Sequence, residues 1–274
     1  MSPLLLLFAG LLLALLSVAA ILLWRSFSES ISGTSVTRDS TDAAGSEPRV
    51  RLANAAGQVR VEGVKGSRSV DYEATRYAMG ADPATAKQRA SEISREDSKI
   101  VIETDGGENT GADYSLRVPT GSSVEVESEA GDVEVSGISG NVTVGAEAGD
   151  VTVRDVGGDI KVEAPSGDVS VGDVNTDTGS ANLEAGVGDV SLEDLILGTL
   201  ETSVEAGDVT LSGRFSGGGR VSVETGDIIV MLPPEDTREL TLETRVGSVL
   251  REPSDGDSNG QGSETRQGSN VSQG

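Results

Sequence analysis

The chain has 274 residues with no cysteine and no histidine, 21 basic against 45 acidic side chains, and a formal net charge of −24. Disulfides, thiolate nucleophiles and cysteine zinc sites are excluded, and the commonest general base and metal ligand is missing. So acidic a surface repels nucleic acid, and aromatics at 3% leave little to line a sugar-stacking cleft or an apolar ligand pocket, so no enzyme is expected.

Residues 4–24, LLLLFAGLLLALLSVAAILLW, are apolar or small throughout. At a rise of 1.5 Å per residue they span about 31 Å as a helix, enough to cross a bilayer core. Trp24 and Arg25 then supply an aromatic and a cation at the interface. A cleaved secretory signal is the competing reading. MSP carries no lysine or arginine, however, and the small-x-small site Ser17-Val18-Ala19 is followed by more apolar sequence, which favours an uncleaved, single-pass anchor. Arg25 and Arg38 behind the helix would hold the bulk of the chain cytoplasmic under the positive-inside rule, so orientation stays open at this point. Residues 25–48 are rich in serine, threonine and small polar side chains and read as a flexible stalk.

Residues 50–64 and 70–78 alternate apolar and polar positions and read as strands. Between Asp82 and Asp97 the pattern turns helical: Asp82 caps, Pro83 suits the first turn, and Ala86, Ala90 and Ile93 share a face. This short helix, at about 83–96, is expected to cover the open end of the fold that follows. Residues 98–104 and 113–119 read as strands again.

Then the phrase EAGDVEV (129–135) returns as EAGDVTV (147–153) and EAGDVTL (205–211). The glycines of the Gly-Asp-(Val/Ile) triplets stand at 131, 149, 167, 188, 207 and 226, separated by 18, 18, 21, 19 and 19 residues. A fixed period near 20 signals a solenoid in which each coil stacks on its neighbours. After each glycine the apolar positions alternate, as in Val133/Val135, Val151/Val153, Val169/Val171, Val190/Leu192, Val209/Leu211 and Ile228/Val230. A second alternating pair per coil, Val142/Val144, Ile160/Val162, Ala181/Leu183, Val221/Val223 and Leu240/Leu242, supplies a second strand. The expected fold class is all-β: a single-domain β-solenoid over 49–251, two short strands per coil, with one short helix in its N-terminal part and a transmembrane helix before it. Six main rungs at the strand spacing give a stack of about 29 Å. GGG at 217–219 lacks the context of a phosphate-binding loop and reads as a corner. Residues 252–274 are polar and read as a disordered tail.

Stacking places Asp132, Asp150, Asp168, Asp189, Asp208 and Asp227 in one column. Two readings apply. Either each carboxylate accepts a backbone N–H at its own corner, as in an Asx-turn, or successive carboxylates bridge a cation such as calcium. A single glycine directly before each aspartate does not reproduce the glycine spacing of calcium-binding β-rolls, so these six are weak candidates for cation binding and no metal site is assigned. No catalytic or cofactor-binding residue is assigned either.

The anchor, GQVRVEG at 57–63, DYSLRVPTGSSVEVESEAGDVEVSG at 113–137 and the tandem GDV coils resemble the DUF4097 family, also named the "putative adhesin" β-strand-repeat family, over about residues 49–250. The resemblance implies a β-solenoid at a bacterial or archaeal envelope, adhesive in some readings and tied to envelope-stress response in others, with no catalytic residues. The expected function is a membrane-anchored, non-enzymatic, adhesin-like binding module with an extracytoplasmic solenoid, held in the membrane by its N-terminal helix and binding an unidentified protein or envelope partner. A stress sensor and a structural scaffold are the alternatives.

Overall fold

The computed structural model describes residues 35–42, 47–78, 92–96, 99–103, 110–232 and 240–251. The described residues are built from strands. In chain order these begin with β1 (Ser35–Asp42), β2 (Arg49–Asn54), β3 (Val59–Val64), β4 (Ser69–Ala78), β5 (Glu92–Glu96), β6 (Lys99–Glu103) and β7 (Thr110–Pro119). The repeats contribute β8 (Ser123–Ser128), β9 (Val133–Ile138), β10 (Val142–Ala146), β11 (Val151–Val156), β12 (Ile160–Ser166), β13 (Val169–Gly172) and β14 (Asn175–Val187). The last are β15 (Val190–Ala206), β16 (Val209–Phe215), β17 (Gly219–Thr225), β18 (Ile228–Met231), β19 (Leu240–Val246) and β20 (Val249–Arg251).

Period-two alternation turns one face of every repeat strand inward, and the strands stack in parallel register into two columns. The first column runs β6, β2, β8, β10, β12, then the C-terminal parts of β14 and β15, then β17 and β19. The second runs β7, β3, β9, β11, β13, the N-terminal part of β15, β16, β18 and β20. Between them lies one aliphatic core in which identical positions stack: Val133, Val151, Val169, Val190, Val209 and Ile228 form one buried row and Val135, Val153, Val171, Leu192, Leu211 and Val230 the next. Parallel in-register stacking lets β-branched side chains repeat one packing geometry rung after rung, and the only buried aromatics among the described residues are Tyr72, Tyr114 and Phe215.

The strands before the repeats are themselves coils, and their order in space differs from their order in the chain. β2 and β3, first in sequence, are inserted between β6–β7 on one side and β8–β9 on the other. In the second column β4 adds to β7 in antiparallel register and β1 adds to β4. β1 corrects the flexible stalk expected over 25–48 for residues 35–42 alone, which pair along their whole length with Ser69–Arg76, Arg38 making a bidentate bond to Glu73; residues 25–34 and 43–46 lie outside the described residues. Ser/Thr-rich sequence buries little, but an existing edge supplies the backbone partners that make such a strand worth ordering.

The helix expected at about 83–96 is also corrected over part of its length. Residues 92–96 are β5, antiparallel to β6, with Ile93 opposite Ile102 and Arg95 opposite Ile100. Pairing with an open strand edge outweighs a modest helical periodicity. Antiparallel strands, β1 with β4 in one column and β5 in the other, therefore form the outermost strands at this end, and among the described strands β1 and β5 each pair on one side. Residues 83–91, the anchor at 4–24 and the tail at 252–274 lie outside the described residues, and among those described no helix is long and apolar enough to cross a membrane.

The C-terminal part of β15, with Leu200, Thr202 and Val204 facing inward, belongs to the first column, although no strand was expected there. The register of β17 with β19 puts Val221 opposite Leu242 and Val223 opposite Thr244, two residues on from the pairing of Val221 with Leu240 implied by the repeat.

Candidate functional site

Each Gly-Asp corner is set by two constraints on its glycine. Gly188 holds φ at 149°, and a Cβ there would run into the carbonyl oxygen of Gly167 in the preceding coil. Gly131, Gly149, Gly167, Gly207 and Gly226 repeat both features. Backbones can approach this closely only where no side chain intervenes.

The six aspartates that follow these glycines are brought together as one row, but their hydrogen bonds differ from the Asx-turn expected. Each Oδ1 accepts the backbone N–H of the equivalent residue in the next coil, not one at its own corner. Asp132 receives Asp150 N–H at 3.1 Å, Asp150 receives Asp168 at 2.9 Å, and Asp168 receives Asp189 at 2.9 Å. Asp189 receives Asp208 at 2.9 Å, Asp208 receives Asp227 at 2.8 Å, and Asp227 receives Ser248 at 2.7 Å. A reciprocal bond runs the other way: the N–H of Val133 donates to Asp150 O at 2.8 Å, Val151 to Asp168 O at 2.8 Å, and so along the row. Every corner is thus clamped to the next by one side-chain and one backbone acceptor. Asn141 and Asp159 extend the device to the half-repeat, accepting Asp159 N–H at 3.1 Å and Ser180 N–H at 2.9 Å.

Magnitudes explain why a column of like charges is tolerated. Two carboxylates one strand spacing apart repel by about 0.9 kcal/mol in water before salt screening. A hydrogen bond to a charged acceptor contributes about 1.5–3 kcal/mol. The clamp outweighs the repulsion. It also engages one oxygen of each carboxylate, and no group of three or more acidic side chains among the described residues converges as a metal cage would require.

The row opens at its N-terminal end into a shallow groove of about 480 Å³ on the second column. Asp113, Asp132, Asp150, Glu134 and Glu73 line it, against one guanidinium, Arg60. Arg60 Nε is held by Glu134 at 2.8 Å, and Asp113 accepts the N–H of Gln58 at 2.9 Å. Two of these five carboxylates are paired, Glu134 with Arg60 and Glu73 with Arg38, and the other three leave the groove negatively charged. Along the flank, Glu134, Thr152, Ser170, Ser191 and Thr210 continue as one outward row in register.

The residue-level reading missed a second acidic corner. Asp155, Asp173 and Asp194 hold φ at 52–54°, each six residues after a corner glycine, where the first repeat has Gly137 at φ 72°. Aspartate tolerates this left-handed conformation better than most side chains, and the recurring Gly/Asp at that offset was the available signal. All three carboxylates are exposed. Elsewhere on the surface, hydrogen bonding to Glu127 raises the pKa of Arg51, and hydrogen bonding to Glu163 raises that of Lys161.

A protein named "putative adhesin" from Bacteroides fragilis superposes with a TM-score of 0.55 at 15% identity, covering 80% of this chain and 97% of its own, and so supports the fold alone. A second "putative adhesin", from Parabacteroides distasonis, gives a TM-score of 0.44 at 15% identity, too low to carry an argument. No curated protein matches the chain. The family model described as Toastrack DUF4097 matches residues 106–273, more than half of the sequence, and the chain belongs to that family.

Proposed function

We propose that this is a membrane-anchored, non-enzymatic envelope protein whose acidic solenoid acts as a binding module on the extracytoplasmic side, with residues 4–24 as its single-pass anchor. The observation that supports this reading best is the clamped carboxylate row running into the groove at Asp113, Asp132 and Asp150. Its charges sit on a rigid parallel stack with their geometry fixed before any partner arrives, which lowers the ordering cost of binding. The complementary partner is a protein segment presenting basic side chains along an extended stretch. Recognition proceeds without turnover.

Two measurements test the reading. Protease shaving of intact cells carrying an epitope after Gly274 should remove the epitope while a cytoplasmic control survives; protection that vanishes only on lysis would overturn the location. Binding of an oligo-arginine peptide to the full chain should weaken with salt, and several-fold further in Asp132→Asn/Asp150→Asn, which keeps the side-chain oxygens that accept the backbone N–H groups of the next coil. Equal binding by the two chains would remove the groove from the proposal.

A further inference from the structure

The opposite end of the solenoid finishes on parallel strands, with no antiparallel strand added among the described residues. Inward-facing residues send their N–H groups to the next coil, as Val142 does to Asp159 O and Val133 to Asp150 O. In the last coil, β19 pairs only with β17 and β20 only with β18 among the described strands. Leu242 and Thr244 therefore present backbone groups at an edge with no further coil to receive them among the described residues, while the Val246 carbonyl accepts the Gly226 N–H of the preceding coil at 2.9 Å. Apolar surface accompanies that edge: Leu250 is 41% exposed, and Leu242 and Val249 are only partly buried; Val246 is 61% exposed, as Val187 is at the equivalent corner of a central coil. Charge changes here too. Strands β17 to β20 carry Arg220, Arg245 and Arg251 against Glu224 and Glu243, a slight positive excess in a chain of net charge −24.

We infer that this edge is an interface with a second copy of the chain, formed by antiparallel pairing of β19 with its own copy about a two-fold axis at Thr244. Only residues of the same parity offer their backbone groups to the edge, which restricts the register. With Thr244 opposite Thr244 of the partner subunit, Leu242 faces Val246 of the partner subunit, and Glu243 faces Arg245 of the partner subunit, each twice by symmetry. Moving the centre one residue earlier sets Glu243 against its own copy; moving it one residue later opposes the two copies of Arg245. The present ion pairs of Glu243 with Arg220 and Arg245 with Glu224, at 3.5 and 3.7 Å across exposed side chains, are loose enough to exchange. A two-fold contact closes on itself, so it satisfies the edge without the open-ended growth that an unpaired strand otherwise invites.

The sequence contains no cysteine, so a single Thr244→Cys substitution in the full, membrane-inserted chain reports on this contact alone. Across a hydrogen-bonded antiparallel pair the Cα atoms lie about 5.5 Å apart, within disulfide range. Mild oxidation should give a covalent dimer at least several-fold faster than with Ser170→Cys on the mid-flank. Adding Glu243→Arg or Arg245→Glu should weaken association about tenfold, and adding both should restore it, since the pair is then only exchanged. Cross-linking no faster than the Ser170→Cys control would overturn the interface, whether residues 252–274 or another protein covers the edge. Cross-linking indifferent to both charge reversals would overturn the register.

Discussion

Alanine at the corner glycines separates the two constraints that shape every coil. Gly188 carries both, a φ of 149° and a carbonyl where a Cβ would sit. Gly186, one turn of the same corner earlier, carries the crowding alone, against Pro165 O. Gly66, at φ 77° with open space around it, carries the conformational term alone, and Gly145 carries neither. An unfavourable φ costs about 1–3 kcal/mol and forcing atoms into packed structure about 1–3 kcal/mol. Alanine returns about 0.4–1 kcal/mol through the unfolded chain. Gly188→Ala should therefore destabilise by about 2–5 kcal/mol, Gly186→Ala and Gly66→Ala by about 0.5–2 kcal/mol each, and Gly145→Ala should be neutral or stabilising by up to about 1 kcal/mol. Urea unfolding of the full chain in detergent, followed by far-ultraviolet circular dichroism, reads all four, since the lone tryptophan, Trp24, is no probe of the solenoid. Gly188 lies in a central coil with neighbours on both sides, so its loss is felt by the cooperative stack and not by a fraying end. If Gly188→Ala unfolded at the same urea concentration as Gly145→Ala, the account of the corner would be wrong.

The clamp makes a sharper distinction between charge and hydrogen bonding. Asp168→Asn should keep the midpoint within about 0.5 kcal/mol, as Asn141 fills that role naturally, whereas Asp168→Ala frees the Asp189 N–H and should cost about 0.5–1.5 kcal/mol in the same urea titration. Thr202 is 1% exposed with its hydroxyl unpaired among aliphatic neighbours, so Thr202→Val should raise the melting temperature, by the equivalent of about 1 kcal/mol. Arg51 is one-third exposed and holds Glu127 at 2.8 Å; Glu127→Gln should cost no more than about 1 kcal/mol at low salt and nearly nothing in molar salt, which paired urea titrations would check.

The repeat was legible because its determinants are local and periodic. Val133, Val151 and Val169 announce an inward face by alternation, and Gly131, Gly149 and Gly167 announce a corner by position, so the solenoid and the aspartate row could be drawn from spacing alone. The direction of the aspartate bonds could not, because an Asx-turn and an inter-coil clamp use the same residue at the same place, and only the close approach of consecutive backbones selects the second. Thr202 hid a coil for a related reason: one hydroxyl broke the apolar alternation of Leu200 and Val204, and burial against neighbouring rungs overrode it. At the N-terminal end the decisive quantities were not local at all. A strand edge left open at β6 recruited residues 92–96 from a helical pattern, and one left open at β4 recruited a Ser/Thr-rich segment from an expected stalk. The insertion of β2–β3 between later coils gives both strands a partner on each side, which backbone donors and acceptors inside a stack require. Sequence by itself determined what each coil is, since side-chain alternation and corner glycines act within one coil; tertiary structure decided which coils meet and what closes the ends, since those depend on edges that exist only once the stack has formed.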